Sequence, residues 1–65
     1  MIEVKYGRNN RVDVGKYVVN VFKHERKYHV SVLDSEKLEI ITRIYEKREY
    51  INNMATQYGV RFIFS

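Results

Sequence analysis

The stretch that decides the fold runs from Asp34 to Gly59, "DSEKLEIITRIYEKREYINNMATQYG". Within it Leu38, Ile41, Ile44, Tyr45, Ile51, Ala55 and Tyr58 recur at spacings of three and four or their sums, the period of an amphipathic helix. Asp34 or Ser35 is placed to cap the first amides, and Glu36 complements the dipole of the first turn. Gly59 supplies a left-handed C-terminal cap. The reading is one long helix. Its outward face carries Glu39, Glu46, Glu49, Asn53 and Gln57 with Arg43 and Tyr50, and Glu39 and Arg43 make a favourable i,i+4 pair. Arg48 falls inside the apolar arc. Either its stem follows the core edge with the head in water, or it belongs to an interface, where Arg is favoured. Asn52 on the next turn is polar as well, so 48–53 is a candidate contact segment.

Upstream, "IEVKY" (2–6) alternates apolar and polar residues, the period of a half-buried strand, and "GRNN" (7–10) reads as a turn. "RVDVGKYVVNVFK" (11–23) is a second strand whose phase shifts at Gly15, which requires a bulge or a break there. "KYHVSVL" (27–33) is a third strand. The turn at Glu25-Arg26 lacks an Asn-Gly type of signal, so a longer type I loop is expected. "VRFIF" (60–64) closes the chain as a fourth. The expected architecture is α+β, a small mixed sheet in the order β-β-β-α-β with one long amphipathic helix packed on one face, and a single compact domain over residues 1–65. Strand three, helix and strand four then form a right-handed crossover between parallel strands.

If Tyr17, Val19, Val21, Tyr28, Val30, Val32, Phe62 and Phe64 face the helix, the opposite face carries Lys5, Val18, Asn20, Phe22, Lys27, His29, Ser31, Arg61 and Ile63. That face is cationic around an apolar centre of Val18, Phe22 and Ile63. Charge is unevenly spread: residues 1–29 hold seven basic against three acidic side chains, and residues 30–65 hold five of each. An anionic partner would meet the first half. The candidate anion contacts are Lys5, Arg8, Arg11, Lys23, Arg26, Lys27, His29 and Arg61. The candidate protein or dimer contacts are Val18, Phe22, Ile63, Arg48, Tyr50 and Asn52.

Composition narrows the function classes. The chain has no Cys, so it carries neither a disulfide framework nor a thiolate metal site. Small secreted domains generally need such staples, so a cytoplasmic protein is expected, steadied by oligomerisation. No leader pattern and no apolar run of about 18 residues is seen, so no membrane role is expected. The segment "KHERKYH" (23–29) holds both histidines, but they flank a turn and lack the three or four ligands a zinc site needs, so no metal or other cofactor is expected. No Gly-x-Ser-x-Gly elbow, Walker loop or dinucleotide fingerprint is present, and only three glycines exist to build one.

The reading is therefore a non-enzymatic binding module acting by protein–protein contact. The type expected is an antagonist or adaptor of a host factor from a virus or mobile element, working in the host cytoplasm, with a homodimer as one form of contact. The alternative is a nucleic-acid-binding accessory protein that uses the basic sheet face and the hairpin tip.

Overall fold

Residues 34–58 do not form one helix. In the computed structural model, which describes residues 1–65, the elements are β1 (Ile2–Lys5), β2 (Asn10–Val14), β3 (Tyr17–His24), β4 (Lys27–Asp34), β5 (Glu39–Tyr45), a helical segment over 48–58, and β6 (Val60–Ile63). The helical segment is α1 (Ile51–Ala55) between the 3-10 turns Arg48–Tyr50 and Thr56–Tyr58. Strands β2-β3-β4-β5 form an antiparallel meander, and β1 pairs with β6 in a separate parallel ribbon. The α+β class holds. The β-β-β-α-β order and the long helix do not.

The physical reason lies at both ends of β5. Asp34 does cap amides: its Oδ1 accepts from the backbone N–H of Glu36 and of Lys37, each at 3.0 Å. The same geometry that starts a helix here builds a hairpin turn, because Leu38 adopts φ 58° and the chain reverses into β5. The strand itself is "EIITRIY", in which Ile40, Ile41, Thr42 and Ile44 are β-branched and fit a pleated sheet better than a helix. Glu39 and Arg43 therefore lie along one strand, roughly 13 Å apart at about 3.3 Å per residue, and do not form the helical pair. Only the second half of the periodic stretch is helical, and there Ile51, Met54 and Ala55 are buried.

Gly15 resolves as a break. With φ 58° it is the first residue of a two-residue hairpin turn joining Val14 to Tyr17. The Glu25-Arg26 turn also has two residues, with both at positive φ (51° and 67°) and His24 paired to Lys27. This is the type I′ arrangement and not the longer loop expected from the missing glycine. The third turn of the meander is tied to the first: Ser35 donates to the Lys16 carbonyl from both its amide (2.8 Å) and its hydroxyl (2.7 Å).

The inward phase of the strands is as the alternation requires. Val19, Val21, Val30 and Val32 of the meander meet Val60 and Phe62 of β6 and Ile51, Met54 and Ala55 of the helix in one core. Gly59, at φ 81°, ends the helical segment and turns the chain into β6. That strand runs parallel to β1, not to β4 as the crossover rule suggested. Its placement is fixed by Asn52, whose Nδ2 donates to the Phe62 carbonyl (2.9 Å) and whose Oδ1 accepts the Phe62 amide (2.8 Å).

Candidate interaction surface

The split into two sheets divides the face expected to be single. Lys5, Arg61 and Ile63 project from the β1–β6 ribbon, whereas Val18, Asn20, Phe22, Lys27, His29 and Ser31 belong to the meander. The sequence-based set therefore does not form one surface. The meander's outward face gains instead three β5 residues: Ile44, which the helical reading placed on the buried arc, and Ile40 and Thr42, which it did not assign.

The register arranges that face in rows across the strands. Val18, Leu33 and Ile40 form one apolar row, with Asp13 of β2 at its end. Arg11, Asn20, Ser31 and Thr42 form a polar middle row, closed by a 3.2 Å hydroxyl contact between Ser31 and Thr42. Phe22, His29 and Ile44 form the third row. There the Phe22 and His29 rings stack with centroids 4.9 Å apart and planes within 7°. Nothing in the chain covers these rows: Phe22 is 44% exposed, Ile44 55% and Ile40 67%.

The expected cations are dispersed. Lys27 stands at the outer end of the face beside His24 and His29. Arg11 is in the middle row but is neutralised by Asp13 at 3.4 Å. Lys23 shares its side of β3 with the inward valines and sits 5.3 Å over the Tyr28 ring. Arg8 is exposed in the β1–β2 loop and Arg26 at the turn. No three His, Cys, Asp or Glu side chains come together in a group able to hold a metal ion.

The helical candidates lie outside the meander. Arg48 is exposed, its guanidinium 5.3 Å over the Phe64 ring, so its head reaches water along the core edge. Tyr50 is 44% exposed and stands apart from the rows described above. Asn52 is occupied by the backbone of Phe62 on both of its amide atoms. It is a structural clamp.

On its inner side β5 is covered only at Tyr45, which packs against the core. The helical segment packs on β4 and β6 and stops short of β5, leaving Ile41 exposed. The resulting depression, of about 200 Å³, is lined by Tyr17, Val32, Ile41 and Tyr58 with Asp34 and Lys37. Sequence reasoning missed Leu33, Ile40, Thr42 and Ile44 as surface residues. The signal that could have found them was the β-branched density of 40–44. No helix is long and apolar enough to cross a membrane. No protein-family model matches the chain, and comparison with curated proteins and with solved structures finds no match.

Proposed function

We propose that the chain is a non-enzymatic binding module that engages a protein partner through the outward face of the meander. The observation that carries this reading is the pair of apolar rows, Val18-Leu33-Ile40 and Phe22-His29-Ile44, presented uncovered on a rigid four-stranded sheet. Exposed apolar rows interleaved with hydrogen-bonding side chains suit a contact patch, and aromatic anchors dominate such contacts. The surround is slightly basic in balance, with Lys27, Arg26 and Arg11 against Asp13 and Glu25, so the complementary surface is apolar with a mildly acidic rim. A depression of about 200 Å³ lies below the roughly 300–1,000 Å³ usual for small-molecule sites, which also favours a flat macromolecular contact. Such a module acts by occupying its partner's surface, as an adaptor or antagonist does.

The stacked Phe22–His29 pair beside Lys27 supports a second reading, a platform for a base of single-stranded nucleic acid. One experiment separates the two: affinity capture with wild type, with Phe22→Glu and after nuclease treatment. Under the protein reading, a nuclease-resistant partner is retained by wild type, lost by a folded Phe22→Glu, and held with little dependence on salt. Retention by Phe22→Glu refutes the use of this face. Nuclease-sensitive capture with steep salt dependence transfers the face to nucleic acid.

A further inference from the structure

We propose that two copies of this chain pair edge to edge through β5, antiparallel about a two-fold axis at Thr42, turning the meander into an eight-stranded sheet. This does not rest on the function proposed for the outward face; it concerns the edge of the sheet.

The first argument is which backbone groups are free. The bond from the Ser35 amide to the Lys16 carbonyl brackets the Tyr17–Asp34 pair, so that pair is not itself hydrogen-bonded and Asp34 turns its own backbone groups toward β5. By alternation, Glu39, Ile41, Arg43 and Tyr45 bond to β4, while Ile40, Thr42 and Ile44 point their N–H and C=O outward. None of the turn, loop or side-chain hydrogen bonds engages those three amides.

The second argument is protection. Edge strands are usually shielded by being short, by Lys or Pro, by bulges or by a covering element. Strand β2 at the opposite edge has five residues, with Arg11 and Asp13 alternating along it. β1 and β6 have four residues each. β5 has seven residues with no Pro, Lys or bulge; its charged side chains, Glu39 and Arg43, lie on the inner face with the half-buried Tyr45, and no element covers its outward face.

The third argument is self-complementarity, which a two-fold interface requires. With Thr42 opposite Thr42 of the second copy, Ile40 meets its Ile44 and Ile44 meets its Ile40 on the outward face. On the inner face Ile41 meets Arg43, and Arg43 has Glu39 of the second copy on one diagonal and Arg43 of the second copy on the other, so the Glu39–Arg43 contact offsets a weaker like-charge one. Centring on Arg43 would set two guanidiniums opposite each other. Centring on Ile41 would run Ile44 into the turn at Leu38, where φ is 58°. A strand of seven residues gives a contact roughly 23 Å long, small for a stable dimer, so association is reversible and rises with concentration.

The test is sedimentation over a range of concentrations, with amide exchange read residue by residue. Protection at Ile40, Thr42 and Ile44 should grow with concentration, while protection at Ile41 and Arg43 is already present in the monomer. Ile40→Lys with Ile44→Lys, both at exposed positions, should keep the native circular dichroism and abolish the dimer. Glu39→Arg alone and Arg43→Glu alone should each weaken self-association about tenfold, and an equimolar mixture of the two should form a heterodimer. A species monomeric at every concentration overturns the proposal. So does a dimer that survives the double Lys substitution, or one in which the three outward amides exchange freely. If the double variant fails to fold, the mixing experiment decides: no gain over either single variant overturns the pairing.

Discussion

Two asparagines hold the backbone together where no regular structure does. Asn10 is buried, with Oδ1 accepting the Gly7 amide and Nδ2 donating to the Gly7 carbonyl, both at 2.8 Å. This closes the β1–β2 loop much as a backbone pair would. Asn52 does the same between the helix and β6. Removing either side chain strands a part-buried donor and acceptor, so Asn10→Ala and Asn52→Ala should each cost about 1–3 kcal/mol in urea denaturation. Asn52→Asp keeps the acceptor for the Phe62 amide but sets a carboxylate oxygen against the Phe62 carbonyl, so it should also be less stable than wild type at neutral pH. The opposite sign is expected at the hairpin tip. Glu25 and Arg26 both occupy the left-handed region, which costs ordinary side chains roughly 1–2 kcal/mol each. Glu25→Asn with Arg26→Gly should raise the melting temperature without disturbing the Phe22–His29 stack. A drop would mean that the charged side chains at the tip matter more than the backbone does.

At the scale of elements, the β4–β5 turn is the place where one set of residues supports two outcomes. The Lys37 amide foremost, then the Glu36 amide and the Lys16 ammonium at 3.7 Å, hold the Asp34 carboxylate below its ordinary value. The folded pKa is thus lower than the unfolded value of about 3.9. The stabilisation is present above that unfolded value and is lost as pH falls through the folded one. Wild type should therefore lose more stability than Asp34→Asn between pH 5 and the acid limit, as thermal melts at fixed ionic strength would show; parallel curves would refute the role. This turn also explains what the sequence revealed. Strand phases were legible because Asn20 and Ser31 separate Val19 from Val21 and Val30 from Val32, and the chain reversals at Gly15 and Gly59 because glycine takes the left-handed conformation at no steric cost. β5 was not legible. Its isoleucines satisfy both the helical and the strand period, and an Asp cap precedes hairpins as well as helices. The choice is made by β4, whose free edge offers the backbone N–H and C=O of Asp34, Val32, Val30 and Tyr28 to a strand and none to a helix. The candidate face inherited the same error, since two of its five apolar side chains, Ile40 and Ile44, lie on β5, and Lys5, Arg61 and Ile63 assigned to it belong to the other sheet.

The molecule as a whole divides into a part that holds the fold and a part the fold leaves open. Nine buried residues make up the core, a small number on which to rest the stability of a 65-residue chain, about 3–10 kcal/mol by the usual range per residue. Ile51 is fully buried where helix, meander and β6 meet, so Ile51→Ala should cost about 2–5 kcal/mol and leave the chain largely unfolded at 37 °C. Ile40 and Ile44 are comparably apolar but exposed, and the core does not depend on them. If β5 pairs with β5 of a second copy, however, they stabilise through association, and anything that binds only the folded state raises its melting temperature with concentration. The wild-type midpoint should therefore climb over a hundredfold range of protein concentration, while that of Ile40→Lys with Ile44→Lys stays flat and meets the wild-type value at the dilute end. A wild-type midpoint independent of concentration would mean that the open edge contributes nothing to stability. A double variant that melts far below dilute wild type would mean that β5 supports the monomer's own core. Only convergence at low concentration and divergence at high concentration assigns these two isoleucines to self-pairing.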